Sequence, residues 1–223
     1  REFKVNTKRL VLPFFEDIKE TYGISLEKLL DKLSDVFNEV DYLAIPFKSI
    51  KEAKVMPEML LSYPKLFFSV KFNGEEDEVI WLLRRIPEVA GWVSSAHFGV
   101  SFGNQPVTPY FPVTRSEESG FTMSLLYPNY LMKNVNKVKN GIEKLGSYLH
   151  VLAGRIAREN GVKFLGIDYS LSPWMDESVA KLIEEMKGCS FDLPGTYSTI
   201  HGINVLLDHI SSLFDGIGYC EVM

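Results

Sequence analysis

The stretch FLGIDYSLSPWMDESVAKLIEEM, residues Phe164–Met186, contains the pattern of a strand, a turn and a helix in succession. Its first half is an apolar run of strand length, which ends at Pro173. Asp176 is the expected N-cap of the helix that follows, because its carboxylate can accept hydrogen bonds from free backbone amides. The apolar residues of that helix recur at helical spacing and are Val179, Leu182, Ile183 and Met186. A buried strand that leads into an amphipathic helix is typical of α/β proteins.

The same alternation of strand and helix patterns extends over the whole chain. Further strands are predicted at 8–15, 41–47, 65–72, 91–104, 120–128 and 216–223. Further helices are predicted from Ser25 to Val40, from Glu75 to an end at Pro87, from 131 to 160, and from Thr196 or Ser198 to Phe214. The order predicts an α/β protein in which helices cover a largely parallel sheet. We expect one domain over residues 1–223, incomplete at one or both ends because the chain stops within its last strand.

The segment 131–160 has the most regular apolar pattern. Its apolar residues are separated alternately by four and three positions and are Leu131, Val135, Val138, Ile142, Leu145, Leu149, Leu152 and Ile156. A repeat of about 3.5 residues is typical of coiled coils, so a homo-oligomer that uses this helix as its interface is one interpretation. The other is a helix packed along its own sheet, which Gly141, Gly146 and Gly154 favour because they allow close packing.

Composition restricts the classes of function. The 223 residues are 46% hydrophobic, which is enough for a substantial core, and a net charge of -5 without a basic stripe argues against a nucleic-acid partner. No apolar segment approaches the roughly 20 residues that span a membrane, and no secretion signal is visible, so we expect a soluble cytoplasmic protein. Cys189 and Cys220 lack the spacing of a metal site, and no particular cofactor is predicted.

Several polar residues lie at the carboxyl ends of the predicted strands, where parallel α/β sheets bind ligands. Asp168, Ser170 and Ser172 alternate and therefore share one face of their strand. A carboxylate flanked by hydroxyls could act as a general base or anchor a small polar molecule. The structural alternative is that these groups satisfy neighbouring backbone and cap the following helix. We predict Asp168 as the catalytic or anchoring group, with Ser170 and Ser172 contacting the ligand.

Three further positions complete the predicted ligand site. Asn104 follows the strand 91–104 and precedes a loop stiffened by prolines, and Thr196 opens a helix after a Pro-Gly turn. His201 lies on that helix near Asp208, so it could be a catalytic histidine or part of a hydrogen-bonded surface. His97 is expected to be a satisfied core residue, and Cys220 a structural thiol, since no cation near it is evident.

Several motifs also resemble the uncharacterised family called domain of unknown function 711. Val162–Pro173 is similar to that family's strand ending in D-x-S-L-[AS]-P, and Asp176 begins a similar D-x-S-V helix start. Pro194–Thr196 resembles its G-G-T or P-G-T turn, and GNQPVTPYFPVT resembles its segment N-x-P-x-x-P-F-F-P. The resemblance covers about half of the chain, from Asn104 to Cys220.

The resemblance implies a fold related to pyruvate formate-lyase and other glycyl-radical enzymes, in which two parallel half-sheets with helices close into an α/β barrel. It does not imply their chemistry. Those enzymes carry the radical in an R-V-x-G-[YF] loop, whereas Gly218 and Tyr219 follow Asp-Gly-Ile here, and Cys220 directly adjoins them. We therefore expect a protein that binds a small polar molecule, with any enzymatic activity non-radical. The alternative is a non-catalytic assembly protein.

Overall fold

The computed structural model describes residues 4–133 and 135–223, which form two compact units, Arg1–Glu118 and Ser119–Met223. Strands and helices alternate in each unit and the paired strands of both sheets are parallel, so the predicted α/β class is confirmed. Closure into a barrel and a single domain over 1–223 stay predictions. No helix within the two described ranges is both long and apolar enough to cross a membrane.

The first unit contains four strands and six α-helices within its described residues. The strands are β1 (Arg9–Val11), β2 (Tyr42–Phe47), β3 (Leu66–Lys71) and β4 (Phe98–Ser101). The helices are α1 (Phe15–Tyr22), α2 (Leu26–Lys32), α3 (Val36–Glu39), α4 (Ile50–Ala53), α5 (Met56–Ser62) and α6 (Glu76–Ala90). The helix predicted from Ser25 to Val40 begins as expected, and Ser25 is the N-cap of α2, since its side chain accepts a hydrogen bond from the amide of Lys28. It does not continue to Val40, because α2 ends at Lys32 and a separate short helix, α3, follows a turn.

The strands of this unit pair in chain order, β1-β2-β3-β4, so each carboxyl end lies beside the next. Alternate residues of β2 and β3 point into a single core that also includes apolar residues of the helices. Phe68 of β3 is fully buried there, and its ring lies 6.4 Å from that of Phe47 and 4.8 Å from that of Phe98. The apolar positions therefore determine which face of the sheet the helices cover.

A proline-containing loop, residues 102–116, lies across the opposite face of this sheet. The Phe111 ring contacts that of Phe67 at 5.3 Å, and the carbonyl of Pro109 accepts a hydrogen bond from Arg9 at 2.9 Å. Gly99 of β4 is necessary at this contact, because an added Cβ would lie 2.4 Å from Val113. The loop thus takes the place that a second helix layer occupies in many parallel sheets.

The second unit has a smaller sheet and longer helices. Its strands β5 (Phe121–Ser124) and β6 (Phe164–Asp168) form a two-stranded parallel sheet. Its helices are α7 (Pro128–Met132), α8 (Val138–Asn160), α9 (Val179–Lys187) and α10 (Thr196–Leu213). The predicted strand 216–223 is not a strand in the structure. It forms isolated bridges, in which Gly216 pairs with Ile167 and Val222 with Leu171.

The apolar stripe of α8 is directed into the core of its own unit. Val138, Ile142 and Leu149 are buried there together with Leu131 of α7, and Leu145 and Leu152 are partly buried against the same core. Gly146 allows α8 to approach closely, because an added Cβ would lie 2.9 Å from the ring of Phe214. This arrangement agrees with the prediction of a helix packed along its own sheet.

Three further predicted element boundaries near prolines and turns were wrong. The strand 8–15 ends at Val11 because Pro13 cannot donate to the sheet, and α1 begins at Phe15. Helix α6 continues past Pro87 to Ala90, since the carbonyl that loses its partner belongs to Leu83 on the exposed side. The helix predicted to be continuous from 131 to 160 is interrupted by a 3₁₀ turn, Val135–Lys137. Asn134, within the predicted helix, lies outside the described residues.

Two further predictions, the start of the strand 91–104 and the cap of α9, were also wrong. Residues Trp92–His97 form a 3₁₀ helix rather than the start of a strand, and Trp92 is 84% exposed. Asp176 does not cap α9: the main chain of Trp174 and Glu177 forms a tight bridged turn, so the helix starts later. Ser178 is the cap, and its side chain accepts a hydrogen bond from the amide of Lys181 at 3.2 Å.

Candidate functional site

In the first unit, contacts between side chains and backbone join the carboxyl ends of all four strands. Phe14 follows β1, and the Nζ atom of Lys48, after β2, lies 5.4 Å from the centre of its ring. Asn73, after β3, donates a hydrogen bond of 3.1 Å to the carbonyl of Lys48. Phe102, after β4, has its ring 4.9 Å from that of Phe72. Parallel strands bring these ends to one edge of the sheet.

Arg115 closes this set of contacts into a ring. Its guanidinium carbon lies 5.9 Å from the centre of the Phe14 ring, and its Nε donates a 2.8 Å hydrogen bond to the carbonyl of Gln105. We call Phe14, Lys48, Asn73, Phe102 and Arg115 the strand-end ring. Only the residues around Asn104 at this edge were predicted from sequence. The other members come from segments too distant along the chain for a local pattern to connect them.

A buried polar pair lies beneath the loop that carries Asn104. Gln105 is 2% exposed and accepts a hydrogen bond of 3.1 Å from the hydroxyl of Ser69, which is fully buried. The amide of Gln105 also donates to the carbonyl of Phe47 at 3.4 Å. Buried polar groups need such partners, so Gln105 fixes the loop at the end of β4. Asn104, which directly precedes it, is exposed at this edge.

The charges of the strand-end ring are balanced by carboxylates. Lys48 forms an ion pair with Asp17, and Arg115 forms one with Glu117 at 2.5 Å. These ion pairs are partly exposed and therefore contribute little stability. Glu16 has a different role, since its two carboxylate oxygens accept hydrogen bonds from the backbone amides of Lys48 and Ser49. The edge thus presents donors and acceptors together, which is the chemistry of a site for a small polar molecule.

In the second unit, Asp168 ends β6 with a fully buried side chain. Its Oδ1 accepts hydrogen bonds from the backbone amides of Ser170, at 2.9 Å, and Cys220, at 3.3 Å, while Oδ2 accepts one from the amide of Tyr219 at 3.1 Å. A carboxylate in this position satisfies backbone groups that would otherwise be buried without partners. These contacts favour a structural role for Asp168, and its role as base or ligand anchor stays a prediction.

The two predicted serines differ in their surroundings. Ser170 is fully buried, donates a 2.6 Å hydrogen bond to Asp168, and accepts one of 3.3 Å from the amide of Glu221. Ser172 lies beyond the end of β6 and is half-buried. The structure therefore brings Asp168 and Ser170 together as predicted, and both hold the segment 219–221.

Tyr169 and Cys220 are two further titratable groups in this unit whose pKa values are shifted by burial. The hydroxyl of Tyr169 donates to the carbonyl of Phe214 at 2.9 Å, and burial raises the pKa of Tyr169 well above its ordinary value. Burial likewise raises the pKa of the Cys220 thiol, which keeps it protonated near neutral pH. A protonated, buried thiol is a poor nucleophile, in agreement with the structural role expected of Cys220.

Thr196 and His201, on α10, have separate surroundings. The hydroxyl of Thr196 donates to the carbonyl of Phe191 and accepts a 2.6 Å hydrogen bond from Lys187, so it stabilises the turn before the helix. His201 is exposed, and its ring lies parallel to that of Tyr197 with 6.5 Å between centroids. Asn204, beside them on α10, accepts a hydrogen bond of 2.8 Å from the amide of Val222. Their contact with a ligand stays a prediction.

His97 is a satisfied residue, although it lies at the end of a 3₁₀ helix rather than in a strand. Its Nδ1 is 2.9 Å from the carbonyl of Leu66, and its ring stacks on that of Phe67 with 4.1 Å between centroids. Burial lowers the pKa of His97, which favours the neutral ring with Nδ1–H as the donor.

Comparisons with known proteins return one family. The model of the family described as Uncharacterised ACR (DUF711) matches residues 77–223, which is more than half of the chain. This range includes Asn104, Arg115 and all of the second unit. No curated protein and no solved structure matches the chain. Within the described residues, no group of three or more histidine, cysteine and acidic side chains is arranged to hold a metal ion.

Proposed function

Since the chain belongs to the family described as Uncharacterised ACR (DUF711), whose function is unassigned, we propose from its own geometry that it binds a small polar molecule at the carboxyl ends of its parallel strands. One observation carries the proposal: the strand-end ring gathers polar and aromatic groups that follow all four strands of the first unit. Ligands of parallel α/β sheets bind at this edge because the loops there can vary while the strands hold them in place.

The strand-end ring supports a ligand with both hydrogen-bond donors and acceptors. Lys48 and Arg115 supply cationic donors, and both rest on the ring of Phe14, which limits the positions of their charged groups. Asp17 and Glu117, their ion-pair partners, are partly exposed and can be displaced or can themselves accept hydrogen bonds. Asn104 adds an amide at the end of β4. We propose Asn104, Lys48 and Arg115 as ligand-contacting residues.

Asp168, Ser170, Ser172, Thr196 and His201 remain a second proposed ligand location, in the second unit. Support comes from the place of Asp168 at the end of β6, again a strand's carboxyl end. Asp168 and Ser170 accept hydrogen bonds from the backbone amides of residues 219–221, so their oxygens are better suited to fix that backbone segment than to transfer protons. An enzymatic reaction is therefore not part of the proposal. A cytoplasmic location stays a prediction.

The alternative function, an assembly protein that uses the helix 131–160 as its interface, has weaker support. The apolar stripe that suggested it packs within its own unit. Light scattering after size exclusion tests this alternative directly. Val151 is an exposed residue of α8. If the parent protein is a homo-oligomer and Val151→Glu is a monomer, the result favours an assembly function over ligand binding.

The proposal is tested by a thermal-shift screen of the whole chain against amino acids, hydroxy acids and sugar phosphates. A ligand at about 100 times its dissociation constant stabilises the folded state by about 2.7 kcal/mol, which raises the melting temperature by about 5–10 °C in a protein of this size. We expect at least one class to produce such a shift, and isothermal titration calorimetry then measures its affinity.

Substitutions locate the site. Lys48→Gln, Arg115→Gln and Asn104→Ala are each expected to weaken the ligand found by roughly tenfold, since each removes one polar contact. Lys28→Gln and Arg84→Gln make the same chemical changes at exposed helix positions and should leave the affinity unchanged. Loss of binding in Asp168→Asn, with the strand-end variants unaffected, would move the site to the second unit. A screen without any hit in the three classes would contradict the proposal.

A further inference from the structure

A polar cavity of about 300 Å³ lies in the second unit between α7 and the first turns of α8. Its lining consists of Tyr130, Leu131, Lys137, Asn140, Gly141 and Lys144, and we call it the lysine pocket. A volume of this size is at the lower end of the range for pockets that hold small molecules. None of its lining residues belongs to the candidate ligand sites described above.

The lining of the lysine pocket is positively charged and contains no carboxylate. Lys137 and Lys144 both line it, and Asn140 and Tyr130 add an amide and a hydroxyl. Within the described ranges, neither lysine has a carboxylate partner within 4.0 Å. Lys139, by contrast, has Glu143 one turn along the helix at 3.9 Å. Two ammonium groups without a local partner attract an anion into the cavity between them.

The spacing of the two lysines suits one shared anion. They are seven residues apart, so their Cα atoms are separated by about 10 Å along the helix axis. Each lysine stem is long and flexible, and both ammonium groups can therefore reach a group placed midway. Gly141 lies between them in the lining of the pocket, where an added Cβ would contact Leu131 and Tyr130.

The position of the pocket in the fold also suits a ligand. Strands β5 and β6 are parallel, so the connection between them, which includes α8, must return from the carboxyl edge of the sheet to its amino edge. The first turns of α8 therefore lie on the carboxyl side of this sheet, where ligands of parallel sheets bind.

We propose that the lysine pocket binds the phosphate group of a small phosphorylated molecule. A phosphate group concentrates a charge of about -1.5 to -2 on three acceptor oxygens, whereas a carboxylate carries one charge on two oxygens, so two ammonium groups that share one anion favour phosphate. Asn140 and Tyr130 donate further hydrogen bonds to phosphate oxygens. This inference concerns the second unit and does not rest on the ligand site proposed at the strand-end ring.

The test uses the whole chain with inorganic phosphate and glycerol 3-phosphate as probes, and succinate as the carboxylate comparison. Calorimetry at constant ionic strength should give a dissociation constant of about 1 mM or lower for the phosphates, and weaker binding of succinate. Lys137→Gln and Lys144→Gln should each weaken phosphate binding roughly tenfold. In ¹H–¹⁵N spectra, the amide signals of Asn140 and Gly141 should shift on titration.

Two control variants separate a pocket from general surface charge. Lys139→Gln makes the same charge change on the same helix and should leave phosphate affinity unchanged. Gly141→Ala should fold, because the added Cβ would lie 3.4 Å from Leu131 and 3.7 Å from Tyr130, in ordinary contact, yet it should weaken binding by narrowing the midpoint. The proposal is overturned if Lys139→Gln weakens binding as much as Lys137→Gln, if succinate binds as tightly as phosphate, or if no phosphate binding is measurable below 10 mM.

Discussion

The two units of this protein hold their backbones together in different ways. In the first unit, four neighbouring strands satisfy one another in a continuous parallel ladder, and apolar side chains fill the core beneath it. In the described residues of the second, two short strands pair, and the backbone near residues 219–222 is held by the side chains of Asp168, Ser170 and Asn204. Irregular backbone needs side-chain partners because buried amides cannot be left without hydrogen bonds. Both units have an apolar core, but the backbone of the second unit should depend more on polar side chains than that of the first.

The largest effect is expected for Phe68→Ala in the first unit. Phe68 is fully buried between β2, β4 and the helices, so its removal leaves a cavity and should lower the free energy of unfolding by about 4 kcal/mol. Urea unfolding measures the loss, and hydrogen exchange should show it first in β2 and β3. Phe102→Ala is the matched control, since Phe102 is 79% exposed and should cost less than about 0.5 kcal/mol. Equal losses in the two variants would contradict an apolar core beneath this sheet.

The next largest effect is expected for Asp168→Ala in the second unit. The substitution leaves the amides of Ser170, Tyr219 and Cys220 without their acceptor and should cost about 3 kcal/mol. Asp176→Ala removes the same group from an exposed position and should change stability by less than about 0.5 kcal/mol. A small loss in Asp168→Ala would mean that the segment 219–221 does not depend on this carboxylate, and the contrast between the units would fail.

A smaller effect is expected for Asn204→Ala. Asn204 accepts one hydrogen bond, from the partly buried amide of Val222, so its loss should cost about 1 kcal/mol. Hydrogen exchange at Val222 should accelerate, while exchange in β2 and β3 of the first unit should be unchanged. Asn136→Ala, at an exposed position of the 3₁₀ turn, serves as the control. Unchanged protection of Val222 would show that another group satisfies this amide.

The smallest effect is a pH dependence in the first unit. Burial lowers the pKa of His97 below its ordinary value of 6.5, so the unfolded chain binds a proton more readily than the folded one. Stability contributed by the neutral ring is therefore present above pH 6.5 and is lost as the pH falls from 6.5 through the lower folded pKa.

Urea unfolding of His97→Gln between pH 5 and 7.5 tests this contribution. The variant should show a weaker fall in stability toward acid than the parent protein. His201→Gln changes an exposed histidine and should keep the parent's pH profile. Identical profiles for His97→Gln and the parent would show that His97 is not the titrating group.

Much of the secondary structure could be predicted because its cause is local. Helix α2 begins directly after Ser25, and α10 begins at Thr196, one of the two predicted starts, since the start of a helix depends on a few consecutive residues. Pro87 and Asp176 misled the prediction for the opposite reason. Whether a proline ends a helix depends on the exposure of the carbonyl that loses its partner, and whether an aspartate caps a helix depends on the turn before it.

The candidate sites were predictable only in part. Position after a strand predicted that Asn104 lies at the carboxyl edge of the first sheet, and alternation along the strand predicted that Asp168 lies beside Ser170. The partners of Asp168 at Tyr219 and Cys220 are about 50 residues away in sequence and leave no local signal. The strand-end ring likewise leaves no local signal in the sequence. Phe14, Lys48 and Arg115 meet because the segments that follow their strands lie at one edge of the sheet.

The sequence by itself determined the α/β class, the parallel order implied by alternating strands and helices, and the apolar faces that form the two cores. These follow from periodicity and local capping, which act over a few residues. The tertiary structure alone decided which polar groups meet: Lys48 and Arg115 at Phe14, and Asp168 at the backbone of 219–220. Such contacts join segments far apart in the chain, and hydrogen bonding and charge act through the space between side chains rather than along the sequence.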